Sequence, residues 1–275
     1  MGKTADLHIH TFYSDSSDSP EEVVQQAIQK NIDCIAITDH DTLDGVEPAQ
    51  IAAEGCSLEV IPGIELSTEI HGKDVHMLGY FKGIQNLPLL RQLQIIQKTR
   101  IERIQKMIDL LQKQGVHNIS LEQVCQQTHS DAVGRPHLAK ILMEKGYVRS
   151  IPEAFEKYIG EECPAYVGKF KMTPYEAIDL LHRSGAIAVL AHPMILNKDE
   201  LIPSFAEAGM DGIEAHYANC SDNVIEYYEG IARKHNLIVT GGSDAHGRQK
   251  GHTFIGKRTI PYTIVEQIKE KLAVI

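Results

Sequence analysis

The chain has 275 residues, of which 43% are hydrophobic, and a formal net charge of −10. This length allows one large domain or a domain with an insert. The acidic balance disfavours a sequence-independent grip on duplex DNA, which needs a basic face. No apolar run approaches the roughly 20 residues of a membrane span, and no secretory leader or paired cysteine motif is visible, so we expect a cytoplasmic protein with reduced thiols.

Short apolar runs alternate with helical periods along most of the chain. Strands are predicted at 5–10, 34–38, 58–64, 74–79, 187–191, 212–216 and 237–242. Helices are predicted at about 20–30, 45–54, 174–184, 200–208, 222–235 and 263–272, with Ser19-Pro20 and Thr173-Pro174 as cap and first-turn proline. This alternation predicts parallel strands in an α/β fold, and about seven strands favour a closed, barrel-like sheet.

The alternation stops between about 86 and 165, where the pattern indicates helices alone. Ile101, Ile104, Ile108 and Leu111 recur at spacings of three and four, which is typical of an amphipathic helix over 93–111. Further helices are predicted at 120–128 and from Pro136 to Gly146. We therefore expect a small helical insert between two strands of the sheet.

Two histidines alternate with apolar residues in the segment Asp6-Leu-His-Ile-His10. Residues i and i+2 of a strand share a face, so His8 and His10 point together at the end of the first strand. Asp15 follows a few residues later. The pattern fits a first half-site for a divalent metal, and equally a solvated strand face with two polar residues.

Further histidines and carboxylates stand at the other predicted strands and decide between these readings. The full candidate set is His8, His10, Asp15, His40, Glu65, His76, His192, Asp244 and His246, with six of the 14 histidines of the chain. Active sites of parallel α/β barrels lie at the carboxyl ends of the strands, so this set is expected at one mouth. So many nitrogen and oxygen ligands exceed one tetrahedral zinc site and suit two or three ions of Mn, Fe or Zn.

Other polar residues near these strand ends are interpreted as supporting groups or left without an assigned role. Asp39 and Asp41 flank His40 and are interpreted as supporting groups rather than ligands. Glu214 and His216 close another strand, and either could face the mouth. These alternatives stay open at the level of sequence.

The candidate ligands lie within motifs that resemble a known family. The motifs are Asp6-Leu-His-Ile-His-Thr11, Thr38-Asp-His-Asp-Thr42, Gly63-Ile-Glu65, His76-Met-Leu-Gly79, Ala191-His-Pro193 and Ser243-Asp-Ala-His-Gly247. Together they resemble the polymerase and histidinol phosphatase (PHP) superfamily, in the family's order and over the whole chain. The resemblance implies a distorted (β/α)7 barrel formed by residues 1–90 and 166–275, with a helical insert at 91–165 capping the active site. It also implies a multinuclear centre of two or three divalent ions held by the same nine residues.

The insert is similar to that of a PHP subgroup of small phosphoesterases, through Gly134-Arg-Pro-His-Leu-Ala139. That subgroup includes nucleoside 3′,5′-bisphosphate phosphatases and enzymes that trim short 5′-phosphorylated RNA. The resemblance implies substrate contacts in the cap and beside the metals, at Arg100, Arg103, Gly134, Arg135, His137, Asp15, His40 and His246. Lys169 or Lys171 could add a phosphate contact.

These residues imply a phosphatase that hydrolyses a phosphate monoester of a small nucleotide by a metal-activated hydroxide. The proton for the leaving oxygen would come from His192 or Asp244, if not fully engaged as ligands, or a metal would take that part. The alternatives are a histidinol-phosphate phosphatase and, from another class, an inactive metal-binding scaffold module. The expected partner is a small phosphorylated substrate, without duplex DNA or a membrane.

Overall fold

The structure is a computed structural model that describes residues 2–84, 87–128, 133–168, 172–247 and 254–275. Lys169 and Lys171 lie outside the described residues. The described strands are β1 (Thr4–Ile9), β2 (Cys34–Ile37), β3 (Glu59–Ile70), β4 (Lys73–Phe81), β5 (Ala186–Leu190), β6 (Gly212–Tyr217), β7 (Ile238–Gly242) and β8 (Ile260–Pro261). The first seven confirm the strands predicted from the sequence, whereas the two-residue β8 has too short a pattern to predict.

The strands form one sheet in the order β7-β6-β5-β4-β3-β2-β1-β8. A bridge between Ile9 and Ala245 brings the end of β1 beside the residues that follow β7, so the sheet nearly closes into a barrel. The expected barrel-like α/β fold is therefore confirmed.

One strand runs against the predicted direction. β4 pairs antiparallel with both β3 and β5, whereas the alternation along the chain predicted parallel strands. The reason is local, because β3 and β4 are joined directly through His71 and Gly72, both at positive φ. A two-residue turn with this backbone closes a hairpin, and a parallel pair would need a much longer crossover.

Helices cover the outside of the sheet. The helices outside the insert are α1 (Pro20–Gln29), α2 (Val46–Ala52), α7 (Pro174–Arg183), α8 (Pro193–Leu196), α9 (Ile202–Glu207), α10 (Asp222–His235) and α11 (Thr263–Leu272). Ser19 and Thr173 cap α1 and α7 with reciprocal hydrogen bonds to Glu22 and Glu176, which confirms the two start signals. None of the described helices is long and apolar enough to cross a membrane.

The described residues between β4 and β5 form helices and no strand. These helices are α3 (Leu87–Lys113), α4 (Leu121–Cys125), α5 (Arg135–Glu144) and α6 (Ile151–Ala154), which runs on as a π-helical turn at Phe155–Ile159. Their buried apolar side chains, from Ile104 to Ala165, form a cluster separate from the core of the sheet. We call this helical unit the cap. Leu93 and Ile96 of α3 still pack in the core of the sheet, so the separate core begins further along α3, and the division at 91–165 stays a prediction.

Candidate metal centre

The candidate ligands of the sheet meet at one end of it. His8 and His10 come from the end of β1, while Asp244 and His246 follow β7. His40 forms a bridge to Glu65 in β3. Because β4 is antiparallel, its first half lies at this same end, where His76 pairs with Ser67. The parallel strands contribute ligands from their carboxyl ends. The antiparallel β4 contributes His76 from near its amino end, which lies at the same mouth.

The carboxylate of Glu65 lies at the centre of this cluster and is almost fully buried. Its Oε2 lies 3.2–3.3 Å from a ring nitrogen of three histidines, namely His8, His10 and His40. Its Oε1 lies 2.9 Å from His76 Nδ1 and 3.0 Å from His192 Nε2. One carboxylate therefore contacts five histidines from four segments of the chain.

Two further carboxylates extend the cluster on the β7 side. Asp244 Oδ1 lies 3.1 Å from His10 Nε2 and 3.4 Å from His8 Nε2. Asp15 Oδ1 lies 3.1 Å from His246 Nε2. The candidate ligands form three overlapping groups, and within each group the ligand atoms lie within 4.8 Å of one another. The groups are His10/Asp15/His40/His246, His8/His10/Glu65/Asp244 and His40/Glu65/His76.

Buried ring nitrogens without hydrogen bonds test whether cations fit this cluster. His8 Nε2, His10 Nε2, His40 Nδ1 and His246 Nε2 are buried and make no hydrogen bond within the described part of the chain. Leaving a buried polar atom unsatisfied costs about 1–3 kcal/mol. Each nitrogen faces carboxylate oxygens, and imidazole with carboxylate is a donor set that suits Zn, Mn or Fe. The residues present therefore fit divalent cations.

The charges in the cluster shift several pKa values in opposite directions. Burial alone would raise the pKa of Glu65, but the neighbouring imidazoles of His40, His76 and His8 hold it well below its usual range. Burial works against protonated His10, yet contacts with Asp244 and Glu65 raise its pKa to about 9. Burial dominates at His40 and lowers its pKa to about 3. Glu65 is therefore ionised and His40 is neutral around neutral pH.

Carboxylates behind the ligands orient them. Glu214 is fully buried; its Oε1 accepts a hydrogen bond from His8 Nδ1 at 2.9 Å, and its Oε2 accepts one from the His192 backbone N–H at 2.8 Å. Of the two residues left open in β6, Glu214 therefore lies at the site, whereas His216 pairs with Glu229. Partners of this kind fix the ring orientation and tautomer of a metal-binding histidine.

Asp39 and Asp41 have the supporting roles expected of them. Asp39 accepts hydrogen bonds from the backbone N–H and hydroxyl of Thr11 at 2.7 and 2.6 Å. Asp41 accepts one from the Ser67 N–H at 2.8 Å. Both carboxylates therefore hold backbone on which candidate ligands stand.

Three non-glycine residues at this mouth have a positive φ. Asp41, His192 and Asp244 have φ values of 52°, 26° and 47°, a region that non-glycine residues rarely adopt. Such residues cost about 1–3 kcal/mol each and persist where the surrounding structure holds them in place. Two of the three are candidate ligands, as expected of a functional site.

A cavity of about 200 Å³ connects the cluster to the cap. Its wall includes Asp15, His40 and His76 on the sheet side. On the cap side it includes Arg100, Arg103, Gly134, Arg135, His137 and Phe155. Neither His192 nor Asp244 lines this cavity, so the geometry gives no support to the expectation that one of them protonates a leaving group there.

The three predicted arginines reach the cavity in different states. Arg100 forms an ion pair with Asp41 and donates a hydrogen bond to Ser67 Oγ at 3.0 Å. Although burial would raise the pKa of Asp41, Arg100 lowers it. Arg100 is therefore already engaged by the sheet, which its place in the helical pattern does not show.

Arg103 and Arg135 are held mainly by contacts that leave donors available. Arg103 donates from Nε to Val167 O at 2.6 Å, while its buried Nη2 makes no hydrogen bond with any described residue. Burial lowers the Arg103 pKa to about 10. The Arg135 guanidinium lies 5.3 Å from the Phe155 ring centroid and 5.5 Å from that of Tyr166, within cation–π distance of both rings.

His137 and Gly134 line the cavity, but their polar groups are bound within the protein. His137 Nδ1 accepts a hydrogen bond from the Gly134 N–H at 3.0 Å, and Nε2 donates to Ser14 O at 2.7 Å. Both ring nitrogens and the Gly134 N–H are thus committed to protein partners. The substrate contacts expected of these two residues stay a prediction.

Comparisons with known proteins place the site in context. A family model described as PHP domain matches residues 6–162. The 5′-3′ exoribonuclease Rnm of Escherichia coli is 35% identical over 250 residues, which cover 88% of this chain and 84% of that protein. A 3′,5′-nucleoside bisphosphate phosphatase of Chromobacterium violaceum is 29% identical over 90% of each chain. A Bifidobacterium adolescentis structure, described as a metal-dependent phosphoesterase, matches with a TM-score of 0.86 and 27% identity over 96% of this chain and 94% of that chain.

Proposed function

Since this chain belongs to the PHP domain family, we propose that it is a metal-dependent phosphatase of small nucleotides. The substrate is a nucleoside 3′,5′-bisphosphate, a nucleoside monophosphate or a short 5′-phosphorylated RNA. The two relatives that act on a nucleoside bisphosphate and as a 5′-3′ exoribonuclease support this substrate class.

The proposed ligands of two or three divalent ions are the residues clustered around Glu65. They are His8, His10, Asp15, His40, Glu65, His76, His192, Asp244 and His246. Divalent ions held by these residues would supply Lewis acidity toward phosphoryl oxygens and a water molecule of lowered pKa. Glu214 keeps the His8 ring turned toward the cluster through the hydrogen bond to Nδ1.

The observation that carries the proposal is one cavity whose wall contains both candidate ligands, such as Asp15 and His40, and Arg103. Arg103 lines this cavity, and its buried Nη2 has no hydrogen-bond partner among the described residues. A guanidinium donor without a protein partner beside a cavity favours the binding of an anion there, and phosphate oxygens match the planar arrangement of its N–H groups. Arg103 and Arg135 would bind the phosphate that is not cleaved and orient the other toward the ligand cluster.

Phosphate release from a panel of substrates tests this function. The full chain with added Mn²⁺ should release phosphate from a nucleoside bisphosphate, monophosphate or 5′-phosphorylated oligoribonucleotide faster than from histidinol phosphate. Preference for histidinol phosphate would replace the proposed substrate class. A protein that releases phosphate from none of these substrates would favour the inactive scaffold.

A matched pair of histidine variants ties the activity to the cluster. His8→Ala should lose bound Mn²⁺ and activity together, because His8 contacts Glu65 and Asp244. His216→Ala removes a histidine that pairs with Glu229 away from the cluster, so it should keep both. A fully active His8→Ala protein would remove the metal cluster from the reaction.

A further inference from the structure

We propose that His137 is a positioning residue that fixes the Asp15 loop, and with it one side of the metal centre, to the cap. The proposal rests on the function above in one respect, namely that Asp15 is a metal ligand. It assigns no substrate contact to His137. It makes the cap part of the metal site rather than a cover placed over it.

The contacts of His137 leave it one arrangement of protons. His137 is 7% exposed and stands at the third position of α5. Its Nδ1 accepts from the backbone N–H of Gly134, the part that Glu or Gln takes in a capping box. The ring proton is therefore on Nε2, which donates to the Ser14 carbonyl at 2.7 Å. The cap helix thus sets both the orientation and the tautomer of this imidazole.

The residue that His137 holds is also held from the sheet. The Ser14 hydroxyl donates to Asp39 Oδ1 at 2.5 Å, and Asp39 is buried beneath the loop. Ser14 is thus fixed through its hydroxyl by the sheet and through its carbonyl by the cap. The next residue is Asp15, whose Oδ1 lies 3.1 Å from His246 Nε2. The hydrogen bond from His137 therefore acts one peptide away from a proposed ligand.

The first turn of α5 also contributes a residue to the cavity wall. Arg135 stands at the first position of the helix and lines the cavity, while His137 stands two residues later and reaches Ser14. One helical turn therefore holds both Arg135, which is proposed to bind phosphate, and His137, which contacts the Asp15 loop. Removing a partner that orients a metal ligand typically weakens metal binding or activity by about 10–100-fold.

Two amides that differ by one methylene separate positioning from simple packing. His137→Gln can place its Nε2 donor where the imidazole Nε2 lies and so keep the Ser14 contact. His137→Asn can still accept from the Gly134 N–H and cap the helix, but it cannot reach Ser14. Isothermal titration of the full-length, metal-stripped proteins with Mn²⁺ should show about tenfold weaker binding for Asn, with Gln close to wild type. Equal affinity in all three proteins, or equal loss in both variants, would overturn the proposal.

A double-mutant cycle identifies the residue through which His137 acts. In an Asp15→Asn background, His137→Asn should weaken Mn²⁺ binding no further, because the ligand that it positions is already gone. Independent, additive losses would contradict the proposal. The His8→Ala variant separates this result from the proposed function. If His8→Ala abolishes Mn²⁺ binding while His137→Asn leaves it intact, the metal centre stands and the positioning role falls.

Discussion

Glu65 shows how much of the site depends on a single side chain. Its two oxygens contact histidines that are far apart in the sequence, from His8 to His192. Several buried imidazoles can lie this close because the carboxylate between them is ionised. A neutral side chain of the same shape would leave those rings without a common acceptor.

The proposed phosphate contact of Arg135 can be tested with two kinds of substrate. Arg135→Ala should raise KM about tenfold for a nucleoside 3′,5′-bisphosphate, because a charge-assisted hydrogen bond to the second phosphate is lost. KM for an aryl phosphate, which has no second phosphate, should change little. Steady-state kinetics on both substrates make the comparison.

An exposed arginine of the cap is the matched control for that variant. Arg149→Ala removes a guanidinium that does not line the cavity, so KM for both substrates should stay at the wild-type value. Equal increases in KM for the two substrates in Arg135→Ala would end the second-phosphate role.

The Asp211 carboxylate, away from the metal centre, gives a pH-dependent prediction. Burial would raise its pKa, but hydrogen bonds from His182 Nε2, the Ala188 N–H and Lys271 hold the pKa below the usual 3.8. A carboxyl with a lowered folded-state pKa stabilises the fold above the unfolded-state pKa, and this contribution disappears as pH falls through the folded-state value. Asp211→Asn should therefore lower the free energy of unfolding near pH 7 by about 1–3 kcal/mol. The deficit should shrink as pH falls below 3.8.

Denaturant unfolding over that pH range measures the effect of Asp211. Asp179→Asn serves as control, because its pair with Arg183 is solvent-exposed and contributes little. A deficit in Asp211→Asn that stays constant from neutral to acid pH would show that ionisation of this carboxyl does not stabilise the fold.

Residue-level reasoning predicts the candidate ligands better than the residues that orient them. His8 and His10 are predictable as a pair because strand geometry alone puts i and i+2 on one face. Glu214 and His137 follow no spacing rule, since their partners His8 and Ser14 lie 206 and 123 positions away in the sequence. The ion pair of Arg100 with Asp41 spans 59 positions and cannot be predicted from spacing for the same reason.

At the scale of elements, the direction of β4 was the main error, and its cause is general. An apolar run indicates a strand but not its direction, which depends on the length and backbone of the connection before it. The His71-Gly72 turn carried that information. The error did not displace His76, because reversal moved its end of β4 to the same mouth as the other ligands.

The contact between β1 and β7 depends on the absence of a side chain at Gly242. A Cβ at this position would lie 2.9 Å from His8 Cα and closer still to the His8 backbone nitrogen. Gly242→Ala should therefore push the two strands apart, lower the free energy of unfolding by about 1–3 kcal/mol and weaken Mn²⁺ binding. Denaturant unfolding and Mn²⁺ titration measure the two effects.

Gly83→Ala is the control for the Gly242 variant, since a Cβ there meets nothing within 4 Å. It should leave both quantities unchanged. A Gly242→Ala protein with wild-type stability and metal affinity would show that β1 and β7 can separate without disturbing His8.

At the scale of the whole molecule, the cap and the sheet have separate apolar cores that meet around the cavity. The net charge of the chain does not give the local charge of the cavity. The chain carries −10 overall, whereas Arg103 and Arg135 line the cavity. An acidic protein can therefore present a local site for an anion, and bound cations would strengthen it.

Metal binding should stabilise the whole fold, since the proposed ligands come from both ends of the chain. Mn²⁺ at about 100 times its Kd adds roughly 2.7 kcal/mol to the free energy of unfolding, which corresponds to a rise in Tm of roughly 5 °C or more. Thermal unfolding with and without Mn²⁺ measures the rise. His216→Ala should retain it and His8→Ala should lose it, and an unchanged wild-type Tm would contradict the proposed centre.

The raised pKa of His10 has a consequence for how the centre fills. Without cations, Asp244 and Glu65 keep a proton on His10 up to a pH of about 9. A histidine must give up that proton before it can coordinate a metal. Binding of a cation at the proposed centre would therefore release the proton of His10 to the solvent. Affinity for a divalent cation should therefore fall as the pH is lowered below about 9, where His10 takes up its proton.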